Sequence, residues 1–410
     1  MREQILAGVD VGTTKTAVVV GQIDRERRLH IRGMAEVPTQ GMRRGGITNM
    51  DEVANSISVA LERCSHVTGV RPTSIYCAIT GAHIESCNHR GAVAITPAHR
   101  DIDAEDVAHV LDVAGAIPLD PNRMILAVLP RMYLIDGQDG IQNPLGMSGY
   151  RLESEAHVVT GALSAYRNLL KCAERARVAV DDVVVAPLAS AEAVLAPSER
   201  DLGVTLIDIG GGTADVALYA DGGVWRTCML PLGGQFITDD IAYALRLPIP
   251  IAEALKIHYG VATPARVAPE ETIDLAQFLP NCQEAVSRRA VANIIHARAE
   301  EILVLLRDEI RRSGRDRAFA GGVVLTGGTA ELAGITDLAA QVFDAPVRIG
   351  APHSLYGATE HLIRPAYATA VGLLRWHEQT LANAQPTANN TQPLQSLWSG
   401  VQRLLGRAGG

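Results

Sequence analysis

The run Val204-Thr205-Leu206-Ile207-Asp208-Ile209-Gly210-Gly211-Gly212-Thr213-Ala214-Asp215, continued by Val216 to Tyr219, decides the fold. Aliphatic and β-branched residues on either side read as two short buried strands, and the glycines read as the turn between them. Three glycines exceed what a plain hairpin needs. Asp208 ends an apolar strand, where an uncompensated charge is costly. Both features suit a phosphate site. Glycine lets the backbone approach phosphate oxygens with its N–H groups, and a carboxylate beside it holds Mg²⁺, directly or through the ion's water shell.

The same pattern stands near the start of the chain. Ile5 to Val9 is a buried-strand run, followed by Asp10-Val11-Gly12-Thr13-Thr14-Lys15-Thr16 and a second β-branched run, Ala17 to Val20. Two such turns facing each other would clamp a nucleoside triphosphate from both sides. In a third glycine turn, Val323-Val324-Leu325 leads into Thr326-Gly327-Gly328-Thr329. This turn joins a strand to a helix expected from about Glu331 to Phe343, with another strand at Val347-Arg348-Ile349. Gly327 and Gly328 would allow close approach of a flat ligand such as adenosine. No Gly-x-x-x-x-Gly-Lys-[Ser/Thr] loop occurs, and no Gly-x-Gly-x-x-Gly turn opens a helix, so those nucleotide folds are disfavoured.

Bulk properties agree with an α/β protein of more than one domain. The chain has 410 residues, 47% hydrophobic and 20% charged, with 38 glycines, which favours many sharp turns over long bundles. A net charge of -8 argues against nucleic acid as the main partner. Cys64, Cys77, Cys87, Cys172, Cys228 and Cys282 are scattered without a Cys-x-x-Cys pair and read as reduced core residues of a cytosolic protein. No stretch approaches the ~20 apolar residues that cross a bilayer. Helical periodicity covers Asp51–Arg63, Ala104–Ala114, Ser164–Arg177, Pro187–Leu195, Thr238–Leu245, Ile251–His258 and Arg288–Arg312. Residues 379–393 are Ala, Asn, Thr, Gln and Pro with almost no large apolar side chain, and read as a flexible linker.

Taken in order, Asp10 to Thr16, Ala186-Pro187-Leu188-Ala189-Ser190-Ala191, Asp208 to Asp215, Val323 to Thr329 and Ala366 to Leu373 resemble a known set of motifs. They are similar to the two phosphate motifs, the adenosine motif and the two connecting helices of the actin, sugar-kinase and DnaK-type superfamily. The resemblance spans nearly the whole chain. It implies an actin-like two-domain fold with ATP and Mg²⁺ in the cleft. Asp10, Gly12, Thr13, Thr14 and Lys15 would contact phosphate or metal from one side. Asp208, Gly210, Gly211, Gly212 and Thr213 would do so from the other, with Asp10 and Asp208 nearest the Mg²⁺ and Gly327 and Gly328 bordering adenosine. No general base can be named, so the resemblance implies at most weak ATPase activity.

The stretch from about Ala82 to Thr160 narrows the family. Its run Asp136-Gly137-Gln138 to Asn143-Pro144-Leu145-Gly146-Met147-Ser148-Gly149-Tyr150-Arg151-Leu152 would by itself mean a long loop with two turns. It closely resembles the FtsA cell-division family and is foreign to actins, chaperones and sugar kinases. In that family the block is an extra, SHS2-like subdomain that serves contacts between protomers and with other division proteins. The helix Ile251-Ala252-Glu253-Ala254-Leu255-Lys256 also resembles FtsA, placing Lys256 where relatives contact nucleotide. Six arginines lie between Arg288 and Arg312, and most fit a solvated face laced with Glu300, Glu301 and Glu309. By resemblance this small subdomain receives the FtsZ tail, with Arg298 as the contact chosen.

The implied organisation assigns 1–81, 161–201 and 364–378 to a first core domain and 82–160 to the extra subdomain. Residues 202–250 and 317–363 form a second core domain, and 251–316 a small helical subdomain. After the linker comes a last helix, 394–410. There Leu394, Leu397, Trp398, Val401, Leu404 and Leu405 recur on one helical face, while Arg403 and Arg407 lie among polar residues with no acid. That pattern suits an anionic lipid surface, with Trp398 at the interface. The alternative is a helix docked on protein. The family implies a peripheral protein on the cytoplasmic face of the inner membrane at the division septum. Its implied partners are FtsZ, copies of itself in head-to-tail assembly, later divisome proteins and membrane lipid. A metabolic phosphotransferase of the same superfamily and the pilus-platform protein PilM are the competing readings; the first has no use for residues 143–152 or the last helix, and the second lacks the last helix.

Overall fold

In the computed structural model, which describes residues 4–383 except 25, 27, 98, 280–283, 313 and 315–320, the opening apolar runs pair as their pattern requires. Strands β1 (Gln4–Val11), β2 (Lys15–Ile23) and β3 (Leu29–Pro38) form an antiparallel meander. A small hairpin, β4 (Met42–Arg43) and β5 (Gly46–Ile47), leads into helix α1 (Met50–Thr68). Asn49 starts α1 by accepting from the N–H groups of Asp51 and Glu52, and Gly69 stops it in the left-handed region at φ 68°. Between them, Val53, Ile57, Ala60 and Leu61 form the buried face that packs on the meander. Strand β6 (Ser74–Ile79) then runs parallel beside β1.

An inserted layer follows: β7 (Glu85–Ala94), α2 (Ala104–Gly115), β8 (Arg123–Ile135), β9 (Gln138–Ile141) and β10 (Arg151–Ala162). Its sheet is antiparallel in the order β7-β10-β8-β9, with α2 on one face over a core that includes Val107, Val110, Leu152 and Val158. The stretch expected to be a loop with two turns begins instead as a tight hairpin. Asp136 and Gly137 take φ 54° and 88° between β8 and β9, and the Asp136 carboxylate accepts from the N–H groups of Tyr150 and Arg151 at 3.0 and 2.9 Å.

The chain returns through α3 (Leu163–Arg175), β11 (Ala179–Val185), α4 (Ala186–Val194) and α5 (Pro197–Leu202). It then repeats its opening plan. A second meander, β12 (Val204–Ile209), β13 (Ala214–Ala220) and β14 (Gly223–Leu230), precedes α6 (Gly234–Leu245), α7 (Ile249–Tyr259), β15 (Thr272–Asp274), β16 (Ala285–Ser287) and α8 (Arg288–Arg311). After these come β17 (Val323–Thr326), α9 (Ile335–Phe343), β18 (Val347–Ile349), β19 (Tyr356–Gly357) and α10 (Ala368–Asn383). The two main sheets run β11-β6-β1-β2-β3-β19 and β14-β13-β12-β17-β18. In each, a meander is extended by parallel strands beside its first member, so the echo in the sequence is a duplicated architecture.

Helices α4 and α10 cross closely and fill the core shared by the two sheets. Gly372 lies against the Ala189 carbonyl, where a Cβ would collide with backbone, so this crossing requires glycine. The free face of the insert covers β14, the edge of the second sheet. Ser86 Oγ donates to the Thr227 carbonyl at 2.7 Å, Asn88 Nδ2 donates to the Trp225 carbonyl at 3.1 Å, and the Arg131 guanidinium stacks 3.7 Å over the Trp225 ring. His157 is buried between Asn88 Oδ1 and Thr227 Oγ1 at 2.7 and 3.1 Å. Burial, reinforced by Arg131 and Arg226, lowers its pKa to about 3 and keeps the imidazole neutral.

Four expectations need correction. The helix expected from Glu331 starts at Ile335, because Gly328–Glu331 is a 3-10 turn and Gly334 sits in the left-handed region at φ 77°. Residues 251–316 are not purely helical, since β15 and β16 pair within them. Helix α10 runs to Asn383, so the segment read as a linker from residue 379 begins as helix. Cys64, Cys77 and Cys172 are buried as expected, but Cys87 is exposed and Cys228 only partly buried; Cys282 lies outside the described residues. The set expected to face lipid, Leu394, Leu397, Trp398, Val401, Arg403, Leu404, Leu405 and Arg407, also lies outside them. Among the described residues, no helix is long and apolar enough to cross a membrane.

Candidate nucleotide-binding cleft

Each meander turns through glycine at the same place. In the first, Gly12 N–H donates to the Lys15 carbonyl at 2.9 Å; in the second, Gly210 N–H donates to the Thr213 carbonyl at 2.9 Å. The turns meet tip to tip, Thr14 against Gly211 and Thr13 against Gly212. A side chain on either glycine would strike the opposite threonine and force the two halves apart. Thus Gly12, Thr13, Thr14, Gly210, Gly211, Gly212 and Thr213, chosen from widely separated stretches of sequence, come together.

Below the turns lies a group of carboxylates. Asp208 is buried and accepts from Ser190 Oγ of α4 at 2.6 Å and Thr369 Oγ1 of α10 at 3.1 Å, so both crossing helices hold it. Asp215 is buried too, accepting from Thr80 Oγ1 at 2.7 Å and from Thr213 Oγ1 at 3.4 Å. Burial and then the Asp208 charge push the Asp10 carboxyl up to about 7, against the pull of Lys15. Burial likewise raises Asp208, opposed by its two hydroxyl donors and Lys15. Asp215 is raised well above the usual carboxylate range by burial and by the charges of Asp208 and Asp10. Three acids held this way need either protons or a cation.

Magnesium fits that donor set. Among the described residues, no three His, Cys, Asp or Glu side chains stand close enough to form a direct metal cage. Such a site suits an ion that keeps several of its waters and takes only one or two carboxylates, as Mg²⁺ does beside phosphate. Asp10 and Asp208 would hold that hydrated ion, whose charge would oppose the repulsion among the acids.

Lys256 and the third glycine turn lie behind the second hairpin. Lys256 Nζ donates to the Gly234 carbonyl at 3.1 Å and to Thr238 Oγ1 at 2.9 Å, and pairs with Glu253 at 2.7 Å. Gly234 N–H in turn donates to the Gly210 carbonyl at 2.9 Å, and Thr329 Oγ1 donates to the same carbonyl at 3.0 Å. Gly327 follows β17 and lies against Asp208, while Gly328 faces open space, which leaves room for a flat ligand. Lys15 is held 3.4 Å from Glu36 and 3.8 Å over the Tyr367 ring.

Arg298 is not brought to the cleft. It forms a two-pronged pair with Asp240, at 2.6 Å from Nε and 3.0 Å from Nη2, and a further pair with Glu301 at 2.5 Å. Its charge is therefore satisfied between α8 and α6. Sequence reasoning passed over Asp215, Ser190 and Thr369, although all three stood inside the quoted motifs. The available signal was Asp215 itself, a second acid in an otherwise apolar strand.

Comparison with known proteins decides the family. The model for cell division protein FtsA matches residues 205–372, and that for the SHS2 domain inserted in FtsA matches residues 81–160. The FtsA of Pseudomonas aeruginosa is 38% identical over 373 residues, 91% of this chain and 89% of the relative. That of Escherichia coli K12 is 34% identical over 408 residues, 98% and 96% of the two chains. The chain belongs to the FtsA family. Solved structures place it among actin-like folds more broadly. The PilM-PilN type IV pilus biogenesis complex aligns with a TM-score of 0.63 at 16% identity, covering 91% of this chain and 98% of that one. MreB5 of Spiroplasma citri, solved bound to ADP, aligns at 0.55 with 12% identity over 93% and 99% of the chains. As an FtsA family member, the chain is a cell-division protein, and its SHS2 domain is the β7–β10 layer.

Proposed function

We propose that this FtsA family member binds ATP with Mg²⁺ between its two glycine turns, and that the bound state favours head-to-tail assembly with further copies of itself. Assembled, it tethers FtsZ filaments to the cytoplasmic face of the inner membrane at the septum and recruits later divisome proteins. Its output is assembly rather than a chemical product. The observation that carries the nucleotide part is the meeting of Thr13 and Thr14 with Gly212 and Gly211 above Asp10, Asp208 and Asp215. The two turns, Gly12 to Lys15 and Gly210 to Thr213, hold phosphate oxygens through backbone N–H groups other than those of Gly12 and Gly210, which close the turns themselves; Asp10 and Asp208 hold hydrated Mg²⁺; Gly327, Gly328 and Lys256 border the adenosine.

The SHS2 layer keeps one sheet face on β14, so its outward side, with exposed Met147 and Tyr150, serves protomer and partner contacts. The FtsZ tail docks on the subdomain of residues 251–316, where binding at Arg298 requires its carboxylates to compete with Asp240 and Glu301. The last helix, 394–410, lies on anionic lipid. A single such helix binds weakly, so several joined copies hold the membrane through avidity. Co-pelleting of the full chain with anionic vesicles, with and without ATP and an FtsZ tail peptide, tests the whole reading. ATP-enhanced recovery of the chain, with the peptide carried along, is the expected result. Recovery indifferent to ATP, or a peptide left in the supernatant, contradicts it.

A further inference from the structure

We propose that Arg44 binds the terminal phosphate of the nucleotide and so distinguishes a triphosphate from a diphosphate; the assignment rests on the nucleotide reading of the cleft. The small hairpin of β4 and β5 is wedged at the mouth of that cleft. Gly45 N–H donates to Thr13 Oγ1 of the first turn at 3.2 Å. The same residue lies against Thr213 of the second turn and the backbone of Gly81, where the inserted layer begins. Arg44, one residue earlier, is held at φ 50° and places its guanidinium 4.9 Å over the ring of Phe236, in the first turn of α6. The neighbouring Gln235 N–H donates to the Gly211 carbonyl at 2.8 Å. The Arg44 side chain therefore spans from a residue bonded to one phosphate turn to a residue beside the other.

Charge singles out this arginine. The lysines around the turns are engaged, Lys15 with Glu36 and Lys256 with Glu253, and Arg298, which approaches the far side of α6 at the same Phe236 ring, is paired with Asp240. Arg44 has no carboxylate partner among the described residues, and an aromatic face holds a guanidinium without neutralising it. The cleft floor carries three acids, and Lys15 is paired with Glu36, so a triphosphate arriving there needs positive charge beyond Mg²⁺. A planar guanidinium with five N–H donors suits a terminal phosphate. A diphosphate ends one group short and does not use it.

The test is titration of the full chain with ATP and with ADP, each with Mg²⁺, following fluorescent nucleotide analogues and thermal upshift. Arg44→Gln is expected to weaken ATP about 10- to 100-fold, the range for a charged hydrogen bond, while ADP changes less than about threefold. Arg44→Gly relieves the left-handed backbone and is expected to behave alike, which separates binding from folding. Arg44→Lys restores part of the ATP affinity. Arg43→Gln, a charge change on the same hairpin, leaves the ATP-to-ADP ratio unchanged. Equal weakening of ATP and ADP by Arg44→Gln, or an Arg43→Gln effect as large, overturns the assignment while leaving the cleft reading intact. A wild-type chain that binds neither nucleotide overturns both.

Discussion

Asp208 and Asp215 are register partners on β12 and β13, two buried carboxylates directly opposite each other on an antiparallel pair. Like charges in that relation repel at short range. The equivalent pair in the first meander is Asp10 and Ala17, so the duplicated architecture is chemically asymmetric. The extra acid belongs to the second half, where Thr80 of the first half reaches across to bond it.

Asp10 gives the cleft a pH signature. Its carboxyl is pushed up to about 7, above the ordinary unfolded value, so between about pH 4 and 7 the folded state keeps a proton that the unfolded state loses. Stability without metal therefore falls as pH rises through that window and levels off above it, at up to ~1.4 kcal/mol per pH unit. Thermal melts in Mg²⁺-free buffer should show this decline flattened in Asp10→Asn. Parallel wild-type and variant curves would remove the carboxylate cluster from the account.

Bulk at the turn tips is expected to act on binding rather than folding. Gly211→Val places a branched side chain against Thr14 and separates the turns, so ATP affinity should fall at least about 100-fold while the melting temperature moves only a few degrees. Fluorescent-ATP titration beside a melt checks this. Asp208→Lys is a poor probe, because Ser190 and Thr369 hold that carboxylate in the core and a lysine there would unfold it.

The SHS2 layer is structurally coupled to the second sheet. Removing residues 82–160 uncovers β14 and the Trp225 ring, so the remaining core should keep its two glycine turns but aggregate through the bared edge. A milder probe is His157→Ala, which leaves Asn88 Oδ1 and Thr227 Oγ1 without their shared partner and should destabilise by about 1–3 kcal/mol. Urea unfolding measures it. An unchanged midpoint would mean that the contact between layer and sheet carries no stability.

Trp398→Glu, or truncation after Pro393, should release the protein from anionic vesicles and leave ATP binding within about twofold, since every residue assigned to the cleft precedes position 370. Flotation with labelled vesicles gives the answer. A truncated chain that still floats would assign membrane binding to another surface.

Most of the cleft was legible because its chemistry is local in sequence. A strand, an aspartate and a glycine turn occupy consecutive residues, so Asp10, Asp208 and both turns could be read from short runs. Ser190 and Thr369 were not legible as donors, because their role depends on two helices crossing over Asp208 from positions far apart in the chain. The early start assigned to α9 has a local cause: after the 3-10 turn, Gly334 stands at the N-cap of the helix in a backbone region that apolar periodicity does not report. Arg298 looked like an available cation because Asp240, its partner, lies on a different helix.

Titration of ATP into the full chain and into Asp208→Asn, each with and without Mg²⁺ at pH 7.5, tests the central claim most directly. The account predicts saturable one-to-one binding by the wild type, strengthened by Mg²⁺, and a loss of about 100-fold or more in Asp208→Asn, with the variant folded by its melting curve. Binding that ignores Mg²⁺, or that the variant retains in full, would contradict it.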